Sequence, residues 1–120
     1  MEKICRNTLV AWQKSMNVVE QVYRLTDTFP RRETYGLIGQ MRRAAVSVPS
    51  NIAEGQAHYT NAEFCRFLRL ARGSLAELET QLMISERLNY AAAPQAKCLL
   101  GHINEVSRII SGLISSLQDK

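Results

Sequence analysis

The stretch that decides the fold of this chain reads RRAAVSVPSNIAEG and runs from Arg42 to Gly55. Its apolar residues continue a line that begins upstream and recurs every three or four positions: Leu37, Met41, Ala44, Val48 and Ile52. Such spacings put side chains on one face of a helix, and an apolar face must be buried. The stretch therefore predicts helix 2, which starts near Arg32-Glu33-Thr34, continues to about Gln56 and contributes one face to a core.

Pro49 lies inside this predicted helix and is its local misfit. A proline in a helix interior removes one backbone hydrogen bond and clashes with the preceding turn, at a cost of about 3 kcal/mol. Either helix 2 is kinked at Pro49, with Ser47 and Ser50 bonded to the freed carbonyl groups, or two shorter helices meet at Val48-Pro49. We favour the kink, because Ile52 keeps the phase of the apolar residues before the proline.

Three further helices are predicted around helix 2. Helix 1 runs from about Thr8 to Thr26, because the residue before the following proline resists helical geometry. Helix 3 opens at Thr60, which forms a capping box with Glu63, and continues to about Leu88, with Asn89 as a left-handed stop. Helix 4 begins with Pro94 and continues to Leu117. Connections this short favour antiparallel neighbours, so we predict an all-α, antiparallel up-down-up-down four-helix bundle.

The composition is that of a globular protein. The 120 residues are 46% hydrophobic and 22% charged, which predicts a single domain over residues 1–120. No window approaches the ~20 apolar residues that span a bilayer. The N-terminus lacks the apolar segment of a signal peptide, so we expect a cytoplasmic protein that does not contact a membrane. The three cysteines and two histidines match no metal-binding spacing, and we predict neither a metal nor another cofactor.

Each of the other helices also carries an apolar line at helical spacing. On helix 1 the line predicted to face the core is Leu9, Trp12, Met16, Val19 and Tyr23. On helix 3 it is Phe64, Leu68, Ala71, Leu75, Leu78 and Leu82. On helix 4 it is Leu99, Ile103, Val106, Ile110, Leu113 and Leu117. Four such faces close one core.

Additional apolar residues on helices 1 and 3 predict a contact between copies of the chain. A monomeric bundle needs one apolar seam per helix, and a second seam usually meets a partner. The predicted oligomer interface is Ile4, Ala11, Val18, Val22, Leu25, Leu70 and Ile84. The alternative is that these residues belong to the scattered apolar side chains that ordinary surfaces expose.

Helix 2 also carries a polar stripe along one flank. Its members are Gln40, Arg43, Ser47, Asn51 and Glu54. The interpretation that we favour is a structural hydrogen-bond network with helix 3 groups such as Ser74, Glu77 or Gln81, because buried polar groups are normally kept by their hydrogen bonds. The alternative is a small polar pocket for a ligand.

Arginine dominates the positive charge of the chain. Eleven of the fifteen basic residues are arginines, and the net charge is +4. The planar guanidinium donates two parallel hydrogen bonds to a phosphate, so an arginine-rich surface favours nucleic acid, RNA or DNA. The candidate contacts are Arg31, Arg32, Arg42, Arg66 and Arg69. Alternatively, these arginines pair with carboxylates or meet an acidic protein, which describes an interaction scaffold with no nucleic-acid role.

Motifs of enzymes are absent from the sequence. It contains no nucleophile elbow, no Walker loop, no H-E-x-x-H motif and no glycine-rich phosphate loop. The two histidines have no nucleophile at local spacing. We therefore predict that the protein is not an enzyme.

Four segments of the chain resemble a known family. They are Leu9–Met16 (LVAWQKSM), Val22–Thr26 (VYRLT), Glu33–Gly55 (ETYGLIGQMRRAAVSVPSNIAEG) and Gly73–Leu82 (GSLAELETQL). These segments are similar to those of the four-helix-bundle proteins called 23S rRNA intervening sequence proteins. The polar signature of the family maps onto the polar stripe of helix 2.

The resemblance implies a bacterial origin, a four-helix bundle and a homopentameric ring, and it brings no catalytic activity. The accessory variability protein of diversity-generating retroelements looks like a distant relative, and it uses a basic pentamer to bind nucleic acid and its reverse transcriptase. Together with the arginines, the resemblance predicts a non-enzymatic pentamer that binds RNA.

Overall fold

The structure, a computed structural model, describes the backbone of residues 2–118 and side chains from Ile4 onward. The four helices are α1 (Glu2–Thr26), α2 (Gly39–Gln56), α3 (Asn61–Arg87) and α4 (Ala93–Gln118). A 3₁₀ turn at Arg31–Glu33 and a π turn at Thr34–Ile38 connect α1 to α2. The described residues contain no strand, which confirms the predicted all-α class. Helix α1 begins six residues before the predicted start, since no proline or glycine interrupts its first turns.

Consecutive helices pack side by side and antiparallel, and α4 closes the bundle against α1. Side-chain contacts between the helices show this arrangement. Where two contacts join the same pair of helices, the residue with the higher number on one helix contacts the residue with the lower number on the other. The contacts are Arg42–Thr26 between α2 and α1, Ser47–Ser74 between α2 and α3, Arg72–Ser111 and Cys65–Ile114 between α3 and α4, and Lys14–Glu105 and Gln21–His102 between α1 and α4. The predicted four-helix bundle is confirmed.

The core faces predicted for three of the helices are confirmed. Met41, Ala44, Val48 and Ile52 of α2 are buried, and Leu37 is half-buried against them. Every predicted core residue of helices 3 and 4 is also buried. In each of these helices a single apolar line recurs at helical spacing, so its burial follows directly from the sequence.

The faces of α1 are the reverse of the prediction. Ala11, Val18 and Val22, predicted as an oligomer interface, are at most 1% exposed in the core of the same chain. Ile4 and Leu25, from the same predicted interface, are half-buried against that core. The line predicted as core is instead exposed at Leu9, Trp12, Met16 and Tyr23, with Val19 half-buried. Sister copies therefore do not cover the line that contains Val18.

Hydroxyl groups that bond to their own helix explain this reversal. The buried face of α1 also includes Thr8, Ser15 and Thr26, each at most 1% exposed. Their hydroxyl groups donate to the carbonyl groups of Ile4, Trp12 and Val22 at 2.7–2.8 Å. A hydroxyl bonded to the preceding turn is satisfied without water, so these residues tolerate a core position. Because these residues are polar, the sequence pattern does not identify this face of α1 as the buried one.

Helix α2 continues through Pro49 as one element, so the alternative of two helices meeting at Val48-Pro49 is wrong. Ser47 Oγ donates to the carbonyl of Ala44, and Ser50 Oγ donates to that of Val46, each at 2.8 Å. These two carbonyls flank the one that the proline leaves without its usual donor. A kink at Pro49 stays a prediction.

The break that the structure does contain lies before α2, at Gly36. Its backbone dihedrals (φ −106°, ψ −114°) are outside the helical region, so α2 begins at Gly39 and not near Arg32-Glu33-Thr34, where the prediction starts helix 2. A Cβ atom at Gly36 would lie 2.8 Å from Glu33 Oε1. The carboxylate of Glu33 therefore occupies the place where a larger residue would put its side chain.

The predicted limits of helix 3 are confirmed. Thr60 Oγ1 accepts a hydrogen bond from the amide of Glu63 at 3.2 Å, which is half of a capping box. Asn89 follows the helix with a φ of 62°, the left-handed conformation that ends helices.

No helix in the described part of the chain is long and apolar enough to cross a bilayer.

Candidate nucleic-acid interface

Arg42 belongs to the packing of α2 against α1. Its guanidinium donates to Thr26 Oγ1 at 2.9 Å and to the carbonyl of Tyr23 at 3.3 Å, and it pairs with Asp27 at 2.9 Å. It also lies 4.4 Å from the centre of the Tyr23 ring, a cation–π distance. Only 27% of the side chain is exposed. The Nε and Nη2 donors of Arg42 therefore serve the fold, and a phosphate contact of this residue stays a prediction.

Arg66 is exposed but has partners within its own chain. Its guanidinium pairs with Glu63 at 3.3 Å and lies 4.5 Å from the centre of the Phe67 ring, on which His58 also stacks. The Arg66 side chain is 57% exposed, and ion pairs this accessible to water contribute little free energy. A phosphate can therefore compete with Glu63 for this guanidinium.

Arg31, Arg32 and Arg69 are exposed, and they take part in no ion pair with the described residues. Arg31 and Arg32 lie in the 3₁₀ turn, at the end of the bundle where α1 leads to α2. Arg69 lies toward the opposite end, because it precedes Arg87 at the end of α3 by 18 positions, about 27 Å at a rise of 1.5 Å per residue. One copy of the chain therefore does not bring the predicted arginines together.

Glu33 holds the connection between α1 and α2 in shape. Its carboxylate accepts hydrogen bonds from the amide of Leu37 at 3.2 Å and from the hydroxyl of Tyr90 at 2.9 Å. The Leu37 bond first, then the Tyr90 bond and the charge of Arg32, lower the pKa of Glu33 against the opposing effect of desolvation. The ring of Tyr90 also packs against the buried Phe29, with 5.5 Å between ring centres. The connection is thus fastened to the α3–α4 turn.

The polar stripe of α2 divides between the α3 seam and solvent. Ser47 Oγ contacts Ser74 Oγ at 2.5 Å, as the structural interpretation predicts. Asn51 Nδ2 donates to the carbonyl of Ser47 within the same helix. Gln40, Arg43 and Glu54 are exposed.

Glu77 and Gln81 of α3, which were predicted partners of the polar stripe, form a hydrogen bond with each other instead. Gln81 is 5% exposed, and its Nε2 donates to Glu77 at 3.3 Å. Its Oε1 is buried without a hydrogen-bond partner among the described residues. The structure therefore joins the stripe to α3 through Ser47.

The exposed apolar line of α1 is a continuous surface feature, here called the α1 stripe: Leu9, Trp12, Met16 and Tyr23. Exposed fractions along the stripe range from 37% to 53%. The stripe lies on the α2 side of α1, where Tyr23 and the exposed Val46 line a common depression. Leu70 and Ile84, also predicted as interface residues, are exposed on α3. Apolar residues aligned on one face are typical of a contact surface.

Two tyrosines without a predicted role are fully exposed. The exposed fraction is 96% for Tyr35 and 104%, relative to a reference tyrosine, for Tyr59. Tyr35 lies in the π turn next to Arg31 and Arg32, and Tyr59 lies in the α2–α3 turn. The sequence feature that could have indicated Tyr35 is a tyrosine within four residues of two arginines, in a connection that begins with a proline.

No group of three His, Cys, Asp or Glu side chains in the described part of the chain is arranged to hold a metal ion. Cys5 and Cys98 are exposed and Cys65 is buried, and all three are free thiols.

The antiparallel helices and their shared core define a four-helix-bundle protein. The family model described as 23S rRNA-intervening sequence protein matches residues 7–112. The chain belongs to this family, which confirms the resemblance found in the sequence. No curated protein matches the chain.

The fold also matches a solved structure. A crystal structure of a protein of unknown function from the S23 ribosomal protein family of Bacteroides thetaiotaomicron superposes with a TM-score of 0.84. The match covers 91% of this chain and 98% of that protein, at 20% sequence identity. At this identity the likeness establishes the fold alone.

Proposed function

We propose that this protein is a non-enzymatic, self-associating helical bundle that binds RNA through arginines outside its core. The observation that carries the proposal is the exposure of Arg31, Arg32 and Arg69, which take part in no ion pair with the described residues. Guanidinium groups without carboxylate partners are available for phosphate, which they bind with paired hydrogen bonds. The net charge of +4 attracts a polyanion as well.

Self-association multiplies these modest basic surfaces. The α1 stripe supports this part of the proposal, because its four side chains are exposed apolar groups on one face. The family resemblance implies a ring of five copies. In such a ring each copy contributes its own arginines at both ends of the bundle, so the same basic surface occurs five times in one assembly. Repeated weak contacts then act together on a single RNA.

Salt dependence of RNA binding tests the proposal. A labelled ribosomal RNA fragment is titrated with protein in a filter-binding assay at several salt concentrations. Each phosphate contact to a single strand contributes about 0.7 to the slope of log K against log salt. Replacing Arg31, Arg32 and Arg69 together by glutamine is expected to reduce the slope by about 2. The control is Arg72→Gln, since Arg72 is half-buried and its guanidinium donates to Ser111 Oγ at 3.2 Å across the α3–α4 contact.

The RNA proposal fails if the fragment does not bind at low salt or if its affinity does not change with salt. It also fails if Arg72→Gln weakens binding by as much as one third of the effect of the triple replacement, because the effect is then one of net charge alone.

Light scattering tests the self-association. Leu9→Lys/Met16→Lys puts two charges on the α1 stripe without touching the core, so we expect a stable protein of monomeric mass. Met83→Lys is the control, because Met83 is 52% exposed on α3, away from the stripe. A wild-type protein that is already monomeric, or a double variant that keeps the wild-type mass, contradicts the assignment of this surface.

An interaction scaffold without a nucleic-acid role is the second candidate, and the α1 stripe is the observation that favours it. In that case the stripe binds another protein rather than a second copy. A nuclease-treated lysate passed over the immobilised protein then yields a specific partner that Leu9→Lys/Met16→Lys no longer retains, and purified RNA does not bind. Loss of all partners after nuclease treatment favours the RNA-binding candidate.

A further inference from the structure

Tyr35 presents a whole aromatic ring to solvent in the same short connection that carries two arginines. Its exposed fraction is 96%, although large aromatic rings are usually buried in cores or interfaces. Arg31 and Arg32 of the same connection are exposed as well. A connection of this length that carries an exposed ring and two exposed guanidinium groups offers the two contacts by which proteins hold unpaired nucleotides: bases stack on aromatic rings, and phosphates bind to arginine.

The connection that carries Tyr35 is held in one conformation without the help of the ring. Thr34 Oγ1 donates to the carbonyl of Arg31 at 2.7 Å, and the carboxylate of Glu33 bridges the amide of Leu37 and the hydroxyl of Tyr90. These bonds fix the backbone on both sides of Tyr35. A ring that is displayed on a fixed backbone loses little conformational entropy when a base stacks on it.

The acidic residues near this connection are already engaged. Between Thr26 and Glu54 the sequence contains two acids, Asp27 and Glu33. Asp27 pairs with Arg42 at 2.9 Å, and Glu33 accepts the two hydrogen bonds described above. Neither carboxylate lies within ion-pair distance of the guanidinium groups of Arg31 and Arg32. Arg31 and Arg32 therefore form no direct ion pair with these carboxylates, although the charge of Arg32 still acts on Glu33.

We infer that Arg31, Arg32 and Tyr35 form a site for an unpaired nucleotide segment, with a base stacked on Tyr35 and its flanking phosphates on the arginines. The inference rests on the proposed function and specifies which residues bind RNA and which form of RNA they bind. In a duplex the bases stack on each other, so the ring has no base to receive, whereas the arginines contact the phosphates of either form. The site therefore prefers single-stranded loops and ends to duplex RNA.

Fluorescence anisotropy with two RNA probes tests the inference. The probes are a labelled single-stranded oligouridylate and a labelled RNA duplex of the same length. Tyr35→Ala is expected to weaken single-strand binding roughly 10-fold through loss of base stacking, to leave duplex binding unchanged and to leave the molar mass unchanged. Tyr35→Phe is expected to keep wild-type affinity, because stacking needs the ring and not the hydroxyl.

The matched control is Tyr59→Ala, since Tyr59 is equally exposed but lies in the α2–α3 turn, at the opposite end of the bundle from Arg31 and Arg32. It is expected to bind both probes like the wild type. Arg31→Gln/Arg32→Gln is expected to lower the salt slope by about 1.4 for the single strand, at about 0.7 per contact.

The outcomes separate this inference from the proposed function. If neither probe binds, the proposed function fails and the site fails with it. If both probes bind and Tyr35→Ala weakens neither or both equally, the proposed function stands and the site at Tyr35 is refuted. A change in molar mass with Tyr35→Ala also refutes it, because the ring then lies between copies of the chain.

Discussion

Gly55 and Gly73 are both helical glycines, but we expect alanine to have opposite effects at the two positions. A Cβ at Gly55 would lie 2.8 Å from Phe67 Cβ, 3.1 Å from Phe64 Cδ1 and 3.3 Å from the Phe64 carbonyl oxygen. Ordinary carbon–carbon contacts are about 3.5–4.0 Å, so the first contact is about 0.7 Å too short. At Gly73 nothing lies within 4 Å of the added atom.

The close approach at Gly55 brings the end of α2 against the start of α3. Overpacking of this kind costs about 1–3 kcal/mol, while replacing a helical glycine by alanine contributes about 0.5–1 kcal/mol in the other direction. We expect Gly55→Ala to lower the free energy of unfolding by about 1–2 kcal/mol. We expect Gly73→Ala to raise it by about 0.5–1 kcal/mol, so the melting temperatures should differ by roughly 10 °C.

Urea and thermal denaturation followed by circular dichroism measure both effects. All samples must have the same protein concentration, because self-association changes apparent stability. Gly101→Ala is a second control, since a Cβ at Gly101 also meets nothing within 4 Å. The reasoning is refuted if Gly55→Ala is as stable as wild type or more stable, because α2 and α3 then do not approach as closely as described.

Three other predictions concern the two faces of α1, the change of stability at acidic pH and the contact between α1 and α2. Val18→Ala should lower the free energy of unfolding by about 2 kcal/mol, whereas Leu9→Ala, made in a Met16→Lys background that already carries one charge on the α1 stripe, should change it by less than about 0.5 kcal/mol; equal effects in urea titrations would contradict the assignment of the two faces. Because the hydrogen bonds that its carboxylate accepts, the backbone one foremost, lower the pKa of Glu33, this carboxylate stabilises the fold fully above the ordinary pKa of about 4.3, and the stabilisation is lost as the pH falls through the lowered value. Urea midpoints of wild type and Glu33→Gln should therefore differ at neutral pH and converge in acid, and a constant difference would count against this role. Arg42→Lys should lower the free energy of unfolding by about 1–2 kcal/mol because lysine cannot make all the contacts of the guanidinium, and Arg69→Lys, measured in the same thermal melts, should leave it unchanged.

Much of the fold follows from the sequence because α2, α3 and α4 each carry one apolar line. Helix α1 carries two lines one position apart, and the rule that large apolar residues are buried favours Leu9 and Trp12. The line that is buried contains Ser15 and Thr26, which hydropathy marks as polar. Only the hydrogen bonds of their hydroxyl groups to the preceding turn, a feature of the folded helix, make that face suitable for a core.

The candidate site is less predictable, since the availability of an arginine depends on its partners. Arg42 and Arg32 are both members of an Arg-Arg pair within the predicted helix 2, and their local sequence does not distinguish them. In the structure Arg42 has Thr26, Asp27 and the Tyr23 ring around it, while Arg32 lies in an exposed turn. Residues 15 or more positions away decide this difference, and local spacing does not encode them.

Trp12 is the only tryptophan of the chain, and 37% of it is exposed within the α1 stripe. The intrinsic emission of the native protein therefore reports on the outer surface of α1 and not on the interior of the bundle. If another molecule covers that surface, the emission maximum shifts to shorter wavelength, and dilution below the dissociation constant shifts it back. An unlabelled sample thus contains its own optical probe of whatever binds to α1.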